Sequence, residues 1–356
     1  MRPESGPPAG SRQRRSLFVL VMTSAIGIIG AGGWGIALAK LLSDKGQPTT
    51  LWCRSSESYR ELQETREHST YLPGVKLPAT VEVTRSLDRA VAGKALIICV
   101  VPSHATREIM ASAVSSVGPQ TIVLCGTKGL EEESLKTMNE VLKDLFGDAR
   151  KQWHAFLSGP TFAAEIAAGL PAAVTVAAYR EDIATAIQET LSTQSLRVYS
   201  SRDVIGVQMG GVIKNVIAIA AGISDGLGLG QNARAALITR GLAEMTRLAV
   251  RMGADAMTLS GLPGLGDLIL TCAGDLSRNR KAGLQVAQGK SLREIIRETR
   301  MVAEGVRNAR SVYLLAHRLG VEMPIVEQMY QVLYEGKKPV EAVRELMQRS
   351  LKAEIS

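Results

Sequence analysis

The chain has 356 residues, a length that suits two domains better than one core. Its formal charge of +8 favours anionic ligands, but aromatic residues make up only 4% of it and are not interleaved with runs of Lys and Arg. That composition argues against nucleic acid and favours small phosphorylated ligands. The four cysteines and four histidines are scattered, which predicts reduced thiols, no disulfide framework and no metal site.

Residues 1–23 differ in composition from those that follow. Residues 1–16 are rich in Pro, Gly, Ser and Arg, which predicts a disordered tail. Arg14 and Arg15 precede an apolar run, as in a twin-arginine export signal, but no small-residue cleavage site separates that run from the next strand. We therefore expect a dispensable tail or an over-extended start, with translation beginning at Met1 or at Met22.

A glycine-rich stretch between residues 25 and 39 predicts a buried strand, a phosphate-binding loop and a helix. Gly30, Gly32 and Gly35 fill the pattern G-x-G-x-x-G. The first glycine permits a tight turn, the second lets the backbone approach a pyrophosphate, and the third lets the helix pack on the strand. A glycine turn without a ligand is the alternative. The strand before the loop and the helix after it favour a dinucleotide site with its phosphates at the helix N-terminus.

The second predicted strand, at residues 48–54, bears on the choice of cofactor. It ends about 20 residues beyond the glycine loop, where an NAD-specific enzyme carries an acid on the ribose hydroxyl. Arg54 stands there instead. A guanidinium at that place accommodates a 2′-phosphate, so we expect NADPH or NADP, with NADH or NAD as the alternative cofactor. A solvated arginine at a strand end is the structural alternative.

Further buried strands alternate with helical segments and predict a parallel, doubly wound sheet, whose ligands lie at the carboxyl ends of its strands. These strands are expected at residues 94–101, 120–125, 155–158, 172–178 and 196–200. Lys128 follows one strand end and is either a substrate ligand or a solvated turn residue. Gly159 and Thr161 follow another strand end, where a Gly-Pro-Thr turn offers N–H groups and a hydroxyl to a ligand.

From Asp203 onward the pattern is helical, so we expect a dinucleotide-binding domain at residues 24–201 and a helical domain at residues 202–356. Lys214 is the only charged residue between Asp203 and Asp225. It either snorkels to a surface or lines a cavity, where burial would lower its pKa into the range of an acid/base. A central lysine also argues against membrane insertion of this helix.

Two other segments of the helical half contain candidate site residues. Asp267 follows a glycine-rich turn and is either a helix cap or the partner of a buried cation. Ser277 is a natural N-cap, and Arg278 and Asn279 then occupy a first helical turn, where N–H groups, the dipole and a guanidinium bind a phosphate. A capped, solvated helix start is the alternative.

Six stretches together resemble the bacterial NAD(P)-dependent sn-glycerol-3-phosphate dehydrogenases, in order and over about residues 25–349. They are residues 30–35, 158–163, 214–222, 264–268, 275–280 and 302–305. The resemblance implies a Rossmann-type sheet followed by a mostly α-helical domain. It also implies a cytoplasmic enzyme that reduces dihydroxyacetone phosphate to sn-glycerol 3-phosphate for phospholipid synthesis.

The resemblance also implies roles for individual residues, with Lys214 as the proton acceptor. The implied substrate contacts are Lys128, Gly159, Thr161, Lys214, Asp267, Ser277, Arg278 and Asn279. Besides Gly30, Gly32 and Gly35, the implied cofactor contacts are Gly33, Trp34, Arg54, Lys128, Ala163, Arg278, Val302 and Glu304. Gly33 stands where the family often has serine, so one hydroxyl contact to a phosphate is missing.

Two other functions remain open. One is a dehydrogenase of the same architecture that acts on a different hydroxy acid. The other is a nucleotide sensor without catalysis, which would not need a lone lysine in an apolar helix. The sequence leaves the oligomeric state open, and a homodimer is compatible with it.

Overall fold

The computed structural model describes residues 21, 24–299, 304–351, 353 and 354. Val302 lies outside these residues, as does nearly all of the predicted tail. Val21, the one described residue of that tail, is buried, and its carbonyl accepts a hydrogen bond from Gln47 at 3.2 Å. The chain forms two compact units: residues 1–128 with 136–208, and residues 129–135 with 209–356.

The first unit is built on one sheet of eight strands in the order β3-β2-β1-β4-β5-β6-β7-β8. The strands are β1 Ile26–Ile29, β2 Thr49–Trp52, β3 Val81–Thr84, β4 Leu96–Cys99, β5 Ile122–Cys125, β6 His154–Ser158, β7 Ala172–Ala178 and β8 Leu196–Ser201. Neighbouring strands are parallel except β6 and β7, which run antiparallel. The predicted doubly wound sheet is therefore confirmed with one reversed pair, and its direction of winding changes between β1 and β4.

Helices cover the sheet of the first unit. They are α1 Gly33–Asp44, α2 Ser56–Thr65, α3 Leu87–Val91, α4 Ser103–Ala113, α5 Met138–Phe146, α6 Ala163–Ala167 and α7 Glu181–Leu191. The sheet contributes to two separate apolar clusters, because successive side chains of a strand point to opposite faces: Ile28 belongs to one cluster and Ile29 to the other. This double burial explains why β1 reads as a continuous apolar run.

The second unit is helical, as predicted. Its helices are α8 Val204–Gly226, α9 Gly230–Arg251, α10 Ala256–Ser260, α11 Asp267–Ala273, α12 Arg278–Ala287, α13 Leu292–Thr299, α14 Glu304–Leu319, α15 Pro324–Tyr334 and α16 Pro339–Met347. The first residues of α8 belong with the first unit. Among the described residues, α8 alone is long and apolar enough to cross a membrane, and 94% of its apolar window is buried inside the protein. Such burial is what a core helix requires.

Candidate active site

The glycine loop joins β1 to α1 with the geometry that its pattern predicts. Gly30 has φ +117°, a conformation open to glycine but rarely to other residues. A Cβ on Gly35 would lie 1.9 Å from the carbonyl oxygen of Gly30, so only glycine lets the helix start this close to the turn. Gly32 is the N-cap of α1 and provides no side-chain cap. The first turn of α1 therefore offers backbone N–H groups to an anion.

Several predicted ligand residues surround this loop in the first unit. A Cβ built on Gly33 would come within 3.6 Å of the Cβ of Ala163, which starts α6. The indole nitrogen of Trp34 lies 3.3 Å from the Cβ position of Gly126, just after β5. Lys128, two residues further on, donates from Nζ to the carbonyl of Gly159 at 3.1 Å. Residues from α1, α6 and the ends of β5 and β6 are thus brought together.

Gly159 and Thr161 form the turn that follows β6. Gly159 has φ +143°, and a Cβ there would lie 2.9 Å from the Cα of Val174 in β7, so the turn requires glycine. The hydroxyl of Thr161 donates to the carbonyl of Gly159 at 3.3 Å. The same carbonyl accepts from Lys128, which links the two predicted substrate-binding segments of the first unit.

Arg54 lies two residues beyond the end of β2, the strand that pairs with β1. Its side chain is exposed and has no ion-pair partner among the described residues. Ser55, which follows, caps α2 by accepting from the Ser58 N–H at 3.0 Å. The structure thus places a guanidinium at the carboxyl end of the strand next to the phosphate loop, and both the cofactor interpretation and the solvated interpretation fit that position.

In the second unit, Lys214 is buried beside a carboxylate. Its side chain is only 8% exposed, and Nζ donates to the carboxylate of Asp267, which is fully buried. Nζ also donates to the hydroxyl of Thr271 at 2.9 Å, and that hydroxyl donates to the backbone carbonyl of Asp267 at 2.6 Å. Asp267 is therefore the partner of a buried cation and also the first residue of α11. Of the two interpretations of Lys214, the structure excludes the snorkelling one.

A close backbone contact between α8 and the turn before α11 positions Asp267 beside Lys214. A Cβ on Gly210 of α8 would lie 2.2 Å from the carbonyl oxygen of Pro263, in the wide turn Leu262–Gly266 that precedes α11. Gly210 is one helical turn before Lys214, so the turn that packs on glycine delivers Asp267 to the lysine. Burial raises the pKa of Cys272, beside Thr271, to about 12, so this thiol stays protonated and adds no charge to the cluster.

The predicted phosphate-binding turn lies against the same helix. Ser277 caps α12 by accepting from the Arg280 N–H at 3.2 Å, as predicted. Asn279 donates from Nδ2 to Oδ1 of Asn215 at 2.8 Å and accepts from the Gly305 N–H at 3.0 Å. Asn279 thus connects the residue next to Lys214 with the start of α14, which begins at Glu304.

Two buried polar residues of this cluster were missed from the sequence. Asn215 is 4% exposed and Thr271 is 4% exposed. A signal existed for each: Asn215 follows the lone lysine of an apolar helix, and Thr271 lies four residues after Asp267, on the same helical face. Of the predicted site residues, Lys214, Asp267, Ser277, Asn279 and the exposed Arg278 belong to the second unit, with Glu304 at the start of α14.

The sheet order and the glycine loop define a dinucleotide-binding protein, and its second unit contains a buried ammonium group held by Asp267 and Thr271. A family model described as the N-terminus of NAD-dependent glycerol-3-phosphate dehydrogenase matches residues 25–184, and the C-terminus model matches residues 203–344. The chain belongs to the NAD-dependent glycerol-3-phosphate dehydrogenase family.

Known relatives cover nearly the whole chain. The NAD(P)+ glycerol-3-phosphate dehydrogenase of Citrifermentans bemidjiense is 52% identical over 333 residues, which are 94% of this chain and 99% of the relative. That of Anaeromyxobacter dehalogenans is 52% identical over 328 residues, 92% of this chain and 99% of the relative. The crystal structure of glycerol-3-phosphate dehydrogenase from Coxiella burnetii is 40% identical, with a TM-score of 0.88 over 92% of this chain and all of that one.

Proposed function

We propose that this chain reduces dihydroxyacetone phosphate to sn-glycerol 3-phosphate with NADPH or NADH, reversibly, and so supplies glycerophospholipid synthesis. The observation that carries the proposal is the buried contact of Lys214 with Asp267 and Thr271, in a chain whose residues 25–184 and 203–344 match this family. A dinucleotide sensor has no use for a buried ammonium group held in this way.

Most of the residues that we propose to hold the cofactor belong to the first unit. Gly30, Gly32 and Gly35 shape the loop, and the uncapped N–H groups of α1 suit a pyrophosphate. The other proposed contacts are Gly33, Trp34, Arg54, Lys128, Ala163, Arg278 and Glu304, together with Val302, which lies outside the described residues. When bound, the nicotinamide supplies the hydride that the carbonyl carbon accepts.

The chain's own residues bind the substrate and move a proton. Ser277, Arg278 and Asn279 hold the phosphate with the first turn of α12. Lys128, Gly159 and Thr161 provide further polar contacts, and the Lys128 ammonium polarises the carbonyl oxygen. As the carbonyl carbon gains a hydride, its oxygen takes a proton from Nζ of Lys214. In reverse the neutral amine accepts that proton, and Asp267 with Thr271 keeps Nζ in place.

The direct test is an assay of the purified chain with NADPH and dihydroxyacetone phosphate, followed at the nicotinamide absorbance. We expect NADPH oxidation that depends on the substrate and a product identified as sn-glycerol 3-phosphate. NADPH binding without turnover would instead favour a sensor. Turnover with the keto form of a hydroxy acid, but not with dihydroxyacetone phosphate, would indicate a dehydrogenase of the same architecture that acts on a different substrate.

We assign residues 24–201 to a dinucleotide-binding domain and residues 202–356 to a substrate domain, in a cytoplasmic enzyme.

We also propose a homodimer. Val340 and Met347 lie two turns apart on α16 and are 60% and 80% exposed, an apolar strip that a second copy would cover. Light scattering during gel filtration should give twice the chain mass, and a monomer at micromolar concentration would contradict the dimer.

A further inference from the structure

Gly33, the first residue of α1, lies against the backbone of a loop to which the sequence assigns no function. A Cβ built on Gly33 would be 2.7 Å from the carbonyl oxygen of Tyr71. Carbon does not approach a backbone oxygen that closely, so any side chain at this position would displace Tyr71. A Cβ on the neighbouring Gly32 would meet no atom within 4 Å. The crowding is therefore specific to position 33.

The segment that contains Tyr71, residues 66–78, is here called the 66–78 loop. Its two ends are tied together: the Leu77 N–H donates to the Arg66 carbonyl at 2.6 Å. The Arg66 guanidinium donates to the carbonyls of Leu77 at 3.3 Å and Val81 at 2.8 Å, and also to that of Pro78. Leu72 and Leu77 are buried in the core of the first unit. The loop therefore has a fixed base.

The middle of the loop is held by α2. The Ser69 N–H donates to the carboxylate of Glu61 at 2.8 Å, and hydrogen bonding from the side chain and then the backbone of Ser69 lowers the pKa of Glu61. Nε2 of His68 lies 3.0 Å from the Ser58 hydroxyl, and the His68 ring packs edge-on against Tyr71 with centroids 4.4 Å apart. Moving the Tyr71 backbone would break several of these contacts together, so the loop resists displacement.

We propose that Glu61 and His68 are positioning residues that hold the 66–78 loop against the first turn of α1, and that this chain requires glycine at position 33 to admit the loop there. The inference rests on the proposed dinucleotide site. It predicts that a serine at position 33, which would add a hydroxyl near the phosphates, weakens cofactor binding in this chain. On this proposal, the chain lacks the serine hydroxyl at position 33 because a side chain there would prevent the loop from lying this close to α1.

NADPH affinity of Gly33→Ala and Gly33→Ser, measured by calorimetry, tests the proposal. We expect both variants to bind about tenfold more weakly, because both add a Cβ that pushes the loop away from α1. If glycine at position 33 affected NADPH affinity only by lacking a hydroxyl, Gly33→Ser would bind more tightly and Gly33→Ala would bind as the parent does. Tighter binding by Gly33→Ser would overturn the proposal.

A double-mutant cycle identifies the loop as the cause. Glu61→Ala and His68→Ala loosen the loop and should each weaken NADPH binding several-fold. In either background the penalty of Gly33→Ser should shrink at least threefold, because a loosened loop is displaced more easily. Two separate loosening variants keep the cycle usable if one of them folds poorly. Additive penalties in both backgrounds would overturn the proposal.

Hydrogen exchange of the cofactor-free protein gives a readout that needs neither activity nor cofactor. In Gly33→Ser, the amides of Ser69, Leu72 and Gly74 should exchange at least tenfold faster, because Ser69 donates to Glu61 of α2, and Leu72 and Gly74 donate to His68 and Glu67 within the loop. The amides of α12 serve as the internal control and should be unchanged. Unchanged exchange in the loop would overturn the inference. Failure of the wild-type chain to bind NADPH would refute the dinucleotide site. The hydrogen-exchange result would still test whether the loop contacts Gly33.

Discussion

At the scale of single residues, the Lys214 ammonium separates a structural role from a chemical one. Lys214→Arg keeps a cation beside Asp267 and Thr271, but a guanidinium does not release a proton near neutral pH. We expect this variant to bind NADPH normally and to lose about 10²–10⁴-fold in turnover, the usual contribution of a positioned proton-transfer group. Steady-state kinetics and NADPH calorimetry measure both quantities.

The matching neutral change is Lys214→Met, which leaves the Asp267 carboxylate buried and unpaired. That loss costs about 3–5 kcal/mol of stability, so Lys214→Met is made together with Asp267→Asn and checked by thermal melting. Lys281→Met, on the exposed face of α12, is the control and should behave like the parent. Turnover within a few-fold of the parent for Lys214→Arg and for the folded double variant would remove Lys214 from the mechanism.

Arg54 decides between a phosphate ligand and a solvated strand end. Arg54→Asp should move the ratio of kcat/KM for NADPH and NADH toward NADH by about tenfold or more, since a carboxylate repels a 2′-phosphate and accepts from a ribose hydroxyl. Arg60→Asp, an exposed charge reversal on the adjacent α2, controls for the general change in charge. An unchanged ratio for Arg54→Asp would leave Arg54 as an ordinary solvated residue.

At the scale of elements, the crossing of α8 and α12 brings the turn that we propose to bind phosphate against Asn215, the residue after Lys214. A Cβ on Gly283 would lie 2.1 Å from the carbonyl oxygen of Ile219, and one on Gly222 would lie 2.0 Å from that of Arg280. The two backbones touch, and this contact lets Asn279 reach Asn215. A side chain at either glycine would separate the helices.

Gly283→Ala tests this crossing. The added methyl group should destabilise the protein by about 1–3 kcal/mol and raise KM for dihydroxyacetone phosphate at least tenfold, because it displaces the turn that we propose to hold the phosphate. Urea unfolding and steady-state kinetics give the two values, and NADPH affinity should change less than KM. Lys281→Ala on the exposed side of the same helix should stay within about 0.5 kcal/mol of the parent. Equal behaviour of the two variants would show that the crossing tolerates a methyl group.

At the scale of the whole molecule, two buried groups give stability opposite pH dependences. Burial, reinforced by Arg150, lowers the pKa of His154 to about 4, and neither ring nitrogen has a hydrogen-bond partner among the described residues. Between about pH 6.5 and pH 4 the unfolded chain binds a proton there that the folded chain does not, so stability falls as the pH falls. Burial raises the pKa of Glu244 to about 7, so between pH 7 and 4.5 its contribution rises as the pH falls.

His154→Leu separates the two contributions. It should remove up to about 3 kcal/mol of acid destabilisation between pH 6.5 and pH 4, because the pKa of His154 is about 4 in the folded chain and near 6.5 in the unfolded one. Urea unfolding at pH 7 and at pH 4.5 measures the difference, and His317→Leu, an exposed histidine, is the control. A pH dependence of stability that is the same in His154→Leu and in the parent would contradict the lowered pKa.

Much of the secondary structure follows from local patterns, and the misses have local reasons. β7 has the predicted bounds, and most of the other predicted strands lie within a few residues of theirs. β3 was not predicted because it has four residues, its Glu82 is exposed, and a proline-containing loop precedes it. The antiparallel β7 could not be told from a parallel strand, since strand direction leaves no local trace.

The sequence shows the side chains of the candidate site one by one, whereas the contacts between distant ones belong to the tertiary structure. A glycine pattern, a lone lysine in an apolar helix and a serine cap are each visible within a few residues, because they depend on backbone conformation and on the cost of burying charge. Asp267 lies 53 residues from Lys214, and Asn279 lies 64 residues from Asn215. Only tertiary packing decides such contacts. Here the packing depends on Gly210, Gly222 and Gly283, where a built Cβ would lie 2.0–2.2 Å from a backbone carbonyl oxygen of another segment. The contact of Gly33 with Tyr71 is of the same kind: the sequence shows a glycine, and only the folded loop shows what fills the space beside it.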